Sequence, residues 1–126
     1  MRHFIFFFLL FFHFCAFGAV LTGLDIMESD KFVYLKNKNV ALLANKTAVN
    51  KDGMPILELL KKHGVKVKKI FSPEHGFHTD KDEAVQNCSV DNIPVISLYG
   101  KTRKPSPEQL NGIDVVLYDI ADAGVR

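Results

Sequence analysis

Past residue 35, apolar and polar positions alternate in blocks that spell out strands and helices. Val40-Ala41-Leu42-Leu43-Ala44 is an unbroken apolar run, the pattern of a strand buried on both faces. Residues 45–53 are polar and loop-like, and Pro55 then fits a first helical position. Ile56, Leu57, Leu59 and Leu60 form a helical apolar stripe. Lys61, Lys62 and His63 crowd the last turn, where cations favour the helix dipole, and Gly64 stops the helix. Val65–Phe71 reads as a second strand, Ser72–Asn92 as a long polar loop, and Ile93–Leu98 as a third strand with Pro94 tolerated near its start. Ser106-Pro107-Glu108-Gln109 is a helix start, with Ser106 as N-cap and Gln109 closing a capping box. Asp114–Ile120 is a fourth strand, and the stretch from Gly23 to Leu35 is expected to pack a helix or turn on the sheet. The alternation predicts an α/β fold: a parallel sheet of about four strands, with flanking helices and right-handed connections.

Parallel strands put their carboxyl ends on one edge, which is where open α/β sheets bind ligands. Asn45 follows the first strand, Glu74 the second, Tyr99-Gly100 the third, and Asp119 with Asp122 the fourth. The segment Ser72-Pro73-Glu74-His75-Gly76 is the most informative. It sets a carboxylate beside an imidazole where proline and glycine turn the backbone away from a strand. Glu74 is therefore a candidate catalytic group, its alternative role being the cap of a following helix.

The first residues carry a different signal. Met1-Arg2-His3 is a short basic start, Phe4 to Phe12 is unbroken Phe, Leu and Ile, and Ala16-Phe17-Gly18 offers small residues before Ala19. That is the layout of a secretory signal peptide over residues 1–18, with one domain expected over 19–126. An uncleaved anchor is the alternative, disfavoured by His13 and the short apolar span. Eight of the eleven Phe residues lie in this segment, so the overall aromatic content overstates the core of the remainder. Without it, fifteen Lys and Arg face fourteen Asp and Glu, and no basic tract of the kind nucleic acid requires is present. Cys88 would be the single remaining cysteine, which leaves no internal disulfide. The expectation is a secreted or periplasmic domain with no nucleic-acid partner and no stable membrane association after cleavage.

Taken together, Leu42-Leu43-Ala44-Asn45-Lys46-Thr47, Phe71–Gly76, Pro94–Gly100, Lys104–Pro107 and Asp114–Arg126 resemble, in order, motifs of the NamZ family of exo-β-N-acetylmuramidases. The resemblance implies a Rossmann-like N-terminal domain followed by a smaller second domain, with the active cleft between them. It also implies release of terminal N-acetylmuramic acid from peptidoglycan-derived glycan. Chains of the family are considerably longer, so this one is expected to be an N-terminal piece, inactive by itself. Glycoside hydrolysis needs one group to protonate the leaving oxygen and a second to attack or to activate water. Glu74 is assigned the acid role. His75 would orient it or bond the sugar, or be structural. Asp119 and Asp122 are candidates for the second carboxylate or for hydroxyl recognition, or else simply finish the strand. Arg126 would meet the lactyl carboxylate as a bidentate partner, and Asn45 suits an amide contact to sugar or a turn. The sequence departs from the usual family pattern at Ala44, at Ala121 and across His78–Ala84, where glycines are common.

Two other readings compete with this one. Glu74, His75, His78 and Asp80 form a small potential metal-ligand set, although in an irregular loop. A nucleotide-binding sheet is weaker still, because Asn45-Lys46-Thr47-Ala48 cannot replace a glycine-rich phosphate turn. No cofactor or metal is expected. A non-catalytic chain that binds glycan is the rival of a different class. The sequons Asn45-Lys46-Thr47 and Asn87-Cys88-Ser89 would matter only in a eukaryotic secretory pathway.

Overall fold

The computed structural model describes residues 20–73, 88–99 and 103–121. The chain enters through α1 (Gly23–Ser29), whose N-terminus is closed by a capping box. Thr22 Oγ1 accepts from the Asp25 N–H, and the Asp25 carboxylate accepts from the Thr22 N–H in return. A 3₁₀ turn (Val33–Leu35) follows. It is reached through Lys31 and Phe32, both in the left-handed region at φ 53° and 49°. Phe32 is nevertheless fully buried and rests at 5.4 Å from the His63 ring. Its burial offsets a backbone cost of about 1–2 kcal/mol.

Strand β1 (Asn39–Ala44) is central. Helix α2 (Ile56–Lys62) crosses to β2 (Lys66–Ser72), which lies parallel to β1. Pro55 has an extended ψ of 141° and serves as N-cap, so the helix begins one residue later than the sequence suggests. At the other end Gly64 sits at φ +71°, its N–H bonding Lys61 O while Val65 N–H bonds Leu60 O, both at 2.9 Å. These paired bonds form a Schellman stop.

The sheet has one strand more than the sequence pattern indicated. Within the stretch read as loop lies β3 (Cys88–Val90), antiparallel to β4 (Ile93–Ser97). Asp91 and Asn92 join them as a two-residue turn with φ values of 50° and 64°. Both residues positive in φ is the primed hairpin turn that Asp and Asn tolerate. The α3 turn (Pro107–Leu110), capped reciprocally by Ser106 and Gln109, leads to β5 (Val115–Asp119). The sheet order is β3-β4-β2-β1-β5, with every described pairing parallel except β3 with β4.

One sheet face carries Val40, Leu42, Ala44, Ile70 and Val95 into a core with Leu24, Phe32, Leu35, Ile56, Leu59 and Leu60. That face is covered by α1 and α2. Right-handed connections send α2 and α3 to opposite faces, because one crossover runs leftward from β1 and the other rightward to β5. A bond of 2.6 Å from Lys69 Nζ to Gln109 O ties α3 to β2. Among the described residues no strand lies on the outer side of β5, and its Val116 and Tyr118 are 45% and 64% exposed. No helix among the described residues is long and apolar enough to cross a membrane.

Candidate functional site

Four parallel strands end together at one edge. Ser72 of β2 is in register with Ser97 of β4, and Ala44 of β1 with Asp119 of β5. Asn45, the residue after Ala44, and Asp119 thus both lie at this edge. The chain leaves β1 toward the β2 side and later returns to place β5 on the other side. The gap between β1 and β5 is therefore the topological switch point, the place where an open α/β sheet leaves a crevice outside its strand ends. Tyr99 follows β4 on the same edge and is half exposed. Glu74, His75, Asp122 and Arg126 lie outside the described residues, as do His78 and Asp80. The strand that leads to Glu74 is described as far as Pro73, with Ser72 buried and its carbonyl accepting the Leu98 N–H at 2.8 Å.

Hydrogen bonds knit the β1 and β5 ends together. Asn45 Oδ1 accepts from the Thr47 N–H at 3.0 Å and from Thr47 Oγ1 at 2.5 Å. Thr47 Oγ1 in turn accepts the Ala121 N–H at 3.1 Å. The turn role that the sequence allowed for Asn45 is thus real, and it engages only the oxygen of the carboxamide. Thr47 was not singled out by sequence reasoning; the Asn-x-Thr spacing is the signal that an Asx turn leaves. Asp119 is partly buried, and that desolvation holds its carboxyl above the usual carboxylate range. A partly buried carboxylate with raised pKa can accept from ligand hydroxyl or N–H groups, or transfer a proton.

A cavity opens between α1, the turn at residues 50–54 and the end of α2. Its carboxylates are already engaged. Asp25 accepts from the Lys51 N–H at 2.7 Å and from Thr22, bonds that hold its pKa down, and Glu28 bonds Asn50 and pairs with Lys62. This seam joins α1 to the loop after β1 and to the end of α2. Among the described residues no group of three metal-ligating side chains gathers anywhere.

A half-wound parallel sheet with its switch point between β1 and β5 defines an α/β domain of the Rossmann type. The family is equally definite: residues 40–126 match the family described as exo-beta-N-acetylmuramidase NamZ, N-terminal, and the chain belongs to it. It is 37% identical over 112 residues to the peptidoglycan beta-N-acetylmuramidase NamZ of Bacillus subtilis (strain 168), a match covering 85% of this chain and 27% of that protein. Two solved structures of DUF1343 family proteins from Bacteroides fragilis NCTC 9343 share the fold. One has a TM-score of 0.73 at 38% identity, over 82% of this chain and 27% of the other. The second has a TM-score of 0.67 at 31% identity, over 86% and 28%. The chain spans just over a quarter of the length of each of these relatives.

Proposed function

We propose that this chain forms the glycan-binding edge of an exo-acting glycoside hydrolase that releases terminal N-acetylmuramic acid from peptidoglycan fragments. The observation that carries the reading is the switch point, where β1, leading to Asn45, pairs with β5, ending in Asp119, next to the strand that leads to Glu74. Family membership supplies the reaction class, and the name of the Bacillus subtilis relative the sugar. Glu74 acts as general acid toward the leaving oxygen. Asp119 or Asp122 attacks or activates water, and Asn45, His75 and Arg126 bind the sugar. Export through a signal peptide at residues 1–18 would deliver the protein to its substrate; N-terminal sequencing of secreted material that still begins at Met1 would refute this.

Glu74→Gln tests the acid role. Turnover of a peptide-free disaccharide with a terminal N-acetylmuramic acid should fall by about a hundredfold or more, with thermal stability little changed. An activated aryl glycoside, which needs little protonation, should suffer far less. Unchanged activity on both substrates would remove Glu74 from the mechanism. A second reading is glycan binding by this chain without turnover. Saturable sugar binding by the chain with no product release would establish it.

A further inference from the structure

The amino ends of the central strands, at the edge opposite the switch point, gather lysines. Residues 30–38 contribute Lys31, Lys36 and Lys38, residues 61–69 contribute five more, and the two stretches hold a single carboxylate, Asp30. The fold brings these stretches together. Lys38 immediately precedes β1, whose first residue, Asn39, is in register with Lys66 at the start of β2. Lys61 and Lys62 end α2, with only His63, Gly64 and Val65 between them and Lys66. The ladder slips between Val40 and Ala41: Val67 pairs with Val40 and Lys69 with Ala41, so Lys68 is the extra residue of a bulge.

Some of these charges are explained within the fold. Lys61 pairs with Asp91, Lys62 lies 3.7 Å from Glu28, and Lys69 Nζ donates to Gln109 O. Cations at the end of α2 also favour its dipole. Lys36, Lys38, Lys66 and Lys68 are different. All four are exposed, and none has a carboxylate or hydrogen-bond partner for its ammonium group among the described residues. Protection of a free sheet edge, a common use of strand lysines, does not account for Lys66 and Lys68, because β2 lies between β4 and β1. Just ahead of Lys36, the 3₁₀ turn leaves Val33 and Tyr34 48% and 74% exposed.

We propose that this edge is a docking surface for the anionic lipid headgroups of a membrane. Lysine ammonium groups meet headgroup phosphates as point charges. An exposed tyrosine and valine among them supply the aromatic and apolar contact that settles at headgroup depth. A dissolved polyanion would leave Val33 and Tyr34 without a role, so the lipid surface is the partner this combination fits. The contact is reversible and salt-sensitive, unlike the hold of a spanning helix. It does not depend on what the opposite edge binds, and it turns that edge, with Asn45 and Asp119, away from the lipid.

The chain has no tryptophan, so a single reporter can be introduced as Tyr34→Trp or, on the opposite edge, as Tyr99→Trp. The test uses the full chain and, beside it, the chain from Ala19, which keeps every core residue, so that adsorption through the Phe-rich residues 1–18 is read separately. Vesicles of phosphatidylcholine alone are compared with vesicles that also contain phosphatidylglycerol. In the chain from Ala19, emission at position 34 should move to the blue only with phosphatidylglycerol. It should return in about 1 M salt, where the Debye length is about 3 Å. The reporter at position 99 should stay silent. Each neutralised lysine should weaken partitioning about fivefold, so Lys66→Gln with Lys68→Gln should lower it roughly twentyfold, and Lys36→Gln with Lys38→Gln to a similar extent. Melting temperatures should not change, because all four side chains are exposed. Equal shifts with both lipids in the chain from Ala19 would overturn the proposal, as would partitioning unmoved by either lysine pair. A response at position 99 instead of 34 would place the lipid contact on the wrong edge. A shift produced by soluble polyphosphate but not by vesicles would make the partner a dissolved polyanion, and the lipid assignment would fall.

Discussion

Asp119 shows how one partly buried carboxylate can weaken a fold. Burial raises its pKa above the ordinary 3.8, so the folded chain holds the proton more tightly than the unfolded chain does. The associated stability is fully present below pH 3.8 and is lost as pH rises through the raised value. At neutral pH the ionised side chain is therefore a cost. Asp119→Asn should raise the melting temperature at pH 7 by a few degrees at most and leave it unchanged near pH 3, as scanning calorimetry at the two pH values would show. A fall at pH 7 would mean that a cation or donor network already compensates the charge. Asp25 behaves in the opposite sense. Bonds from the Lys51 N–H and then from Thr22 depress its pKa, so its contribution is present above the unfolded value and lost on acidification below it. The residue-level chemistry was only partly legible in the sequence. Asn45 and Asp119 follow from strand ends alone, but Thr47 acts through a contact 74 residues away that no local pattern announces.

At the scale of elements, what local rules govern was legible and what two elements decide jointly was less so. The Ser106–Gln109 capping box and the Gly64 stop involve neighbours in sequence, and both form. The space around Gly64 is open, so its role is conformational, through φ +71°. Gly64→Ala should cost about 1 kcal/mol in urea unfolding, with Gly64→Asn costing less. Equal losses for both would point to a packing role. Strand β3 escaped the sequence reading because three residues carry too little periodicity to stand out. The signal was in its turn: Asp91-Asn92 between Val90 and Ile93 is a two-residue hairpin connection, further tied to α2 by the Lys61–Asp91 ion pair. The order of strands was not legible at all. It depends on which edges remain free once β1 and β2 have paired, and hydrophobic pattern is silent on that.

For the whole molecule, β5 is the element that stands out. Val115-Val116-Leu117-Tyr118 has the continuous apolar character of a strand meant for two covered faces, yet Val116 and Tyr118 are exposed, and the strand has neither proline nor charge before Asp119. Such an edge invites pairing with other chains. The chain should therefore associate increasingly with concentration, and Val116→Lys should shift that association to roughly tenfold higher concentration in sedimentation experiments, with the fold retained. Association unchanged by Val116→Lys would place the sticky surface elsewhere. The position of β1 has a consequence of another kind, for the order in which the molecule assembles. As the chain leaves the ribosome, β1 meets β2 across one helix, but its other flank stays bare until Val115–Asp119 emerges. Asp114 closes that gap, its carboxylate accepting the Asn39 N–H at 2.7 Å and its own N–H bonding Asn39 O at 2.9 Å. Residues that meet only in this last step form the largest loop in the sheet, and loop closure of that length is slow. The edge shared by the ends of β1 and β5 therefore forms only after β5 emerges, so a ligand for that edge finds no site on a nascent chain that stops short of Asp119.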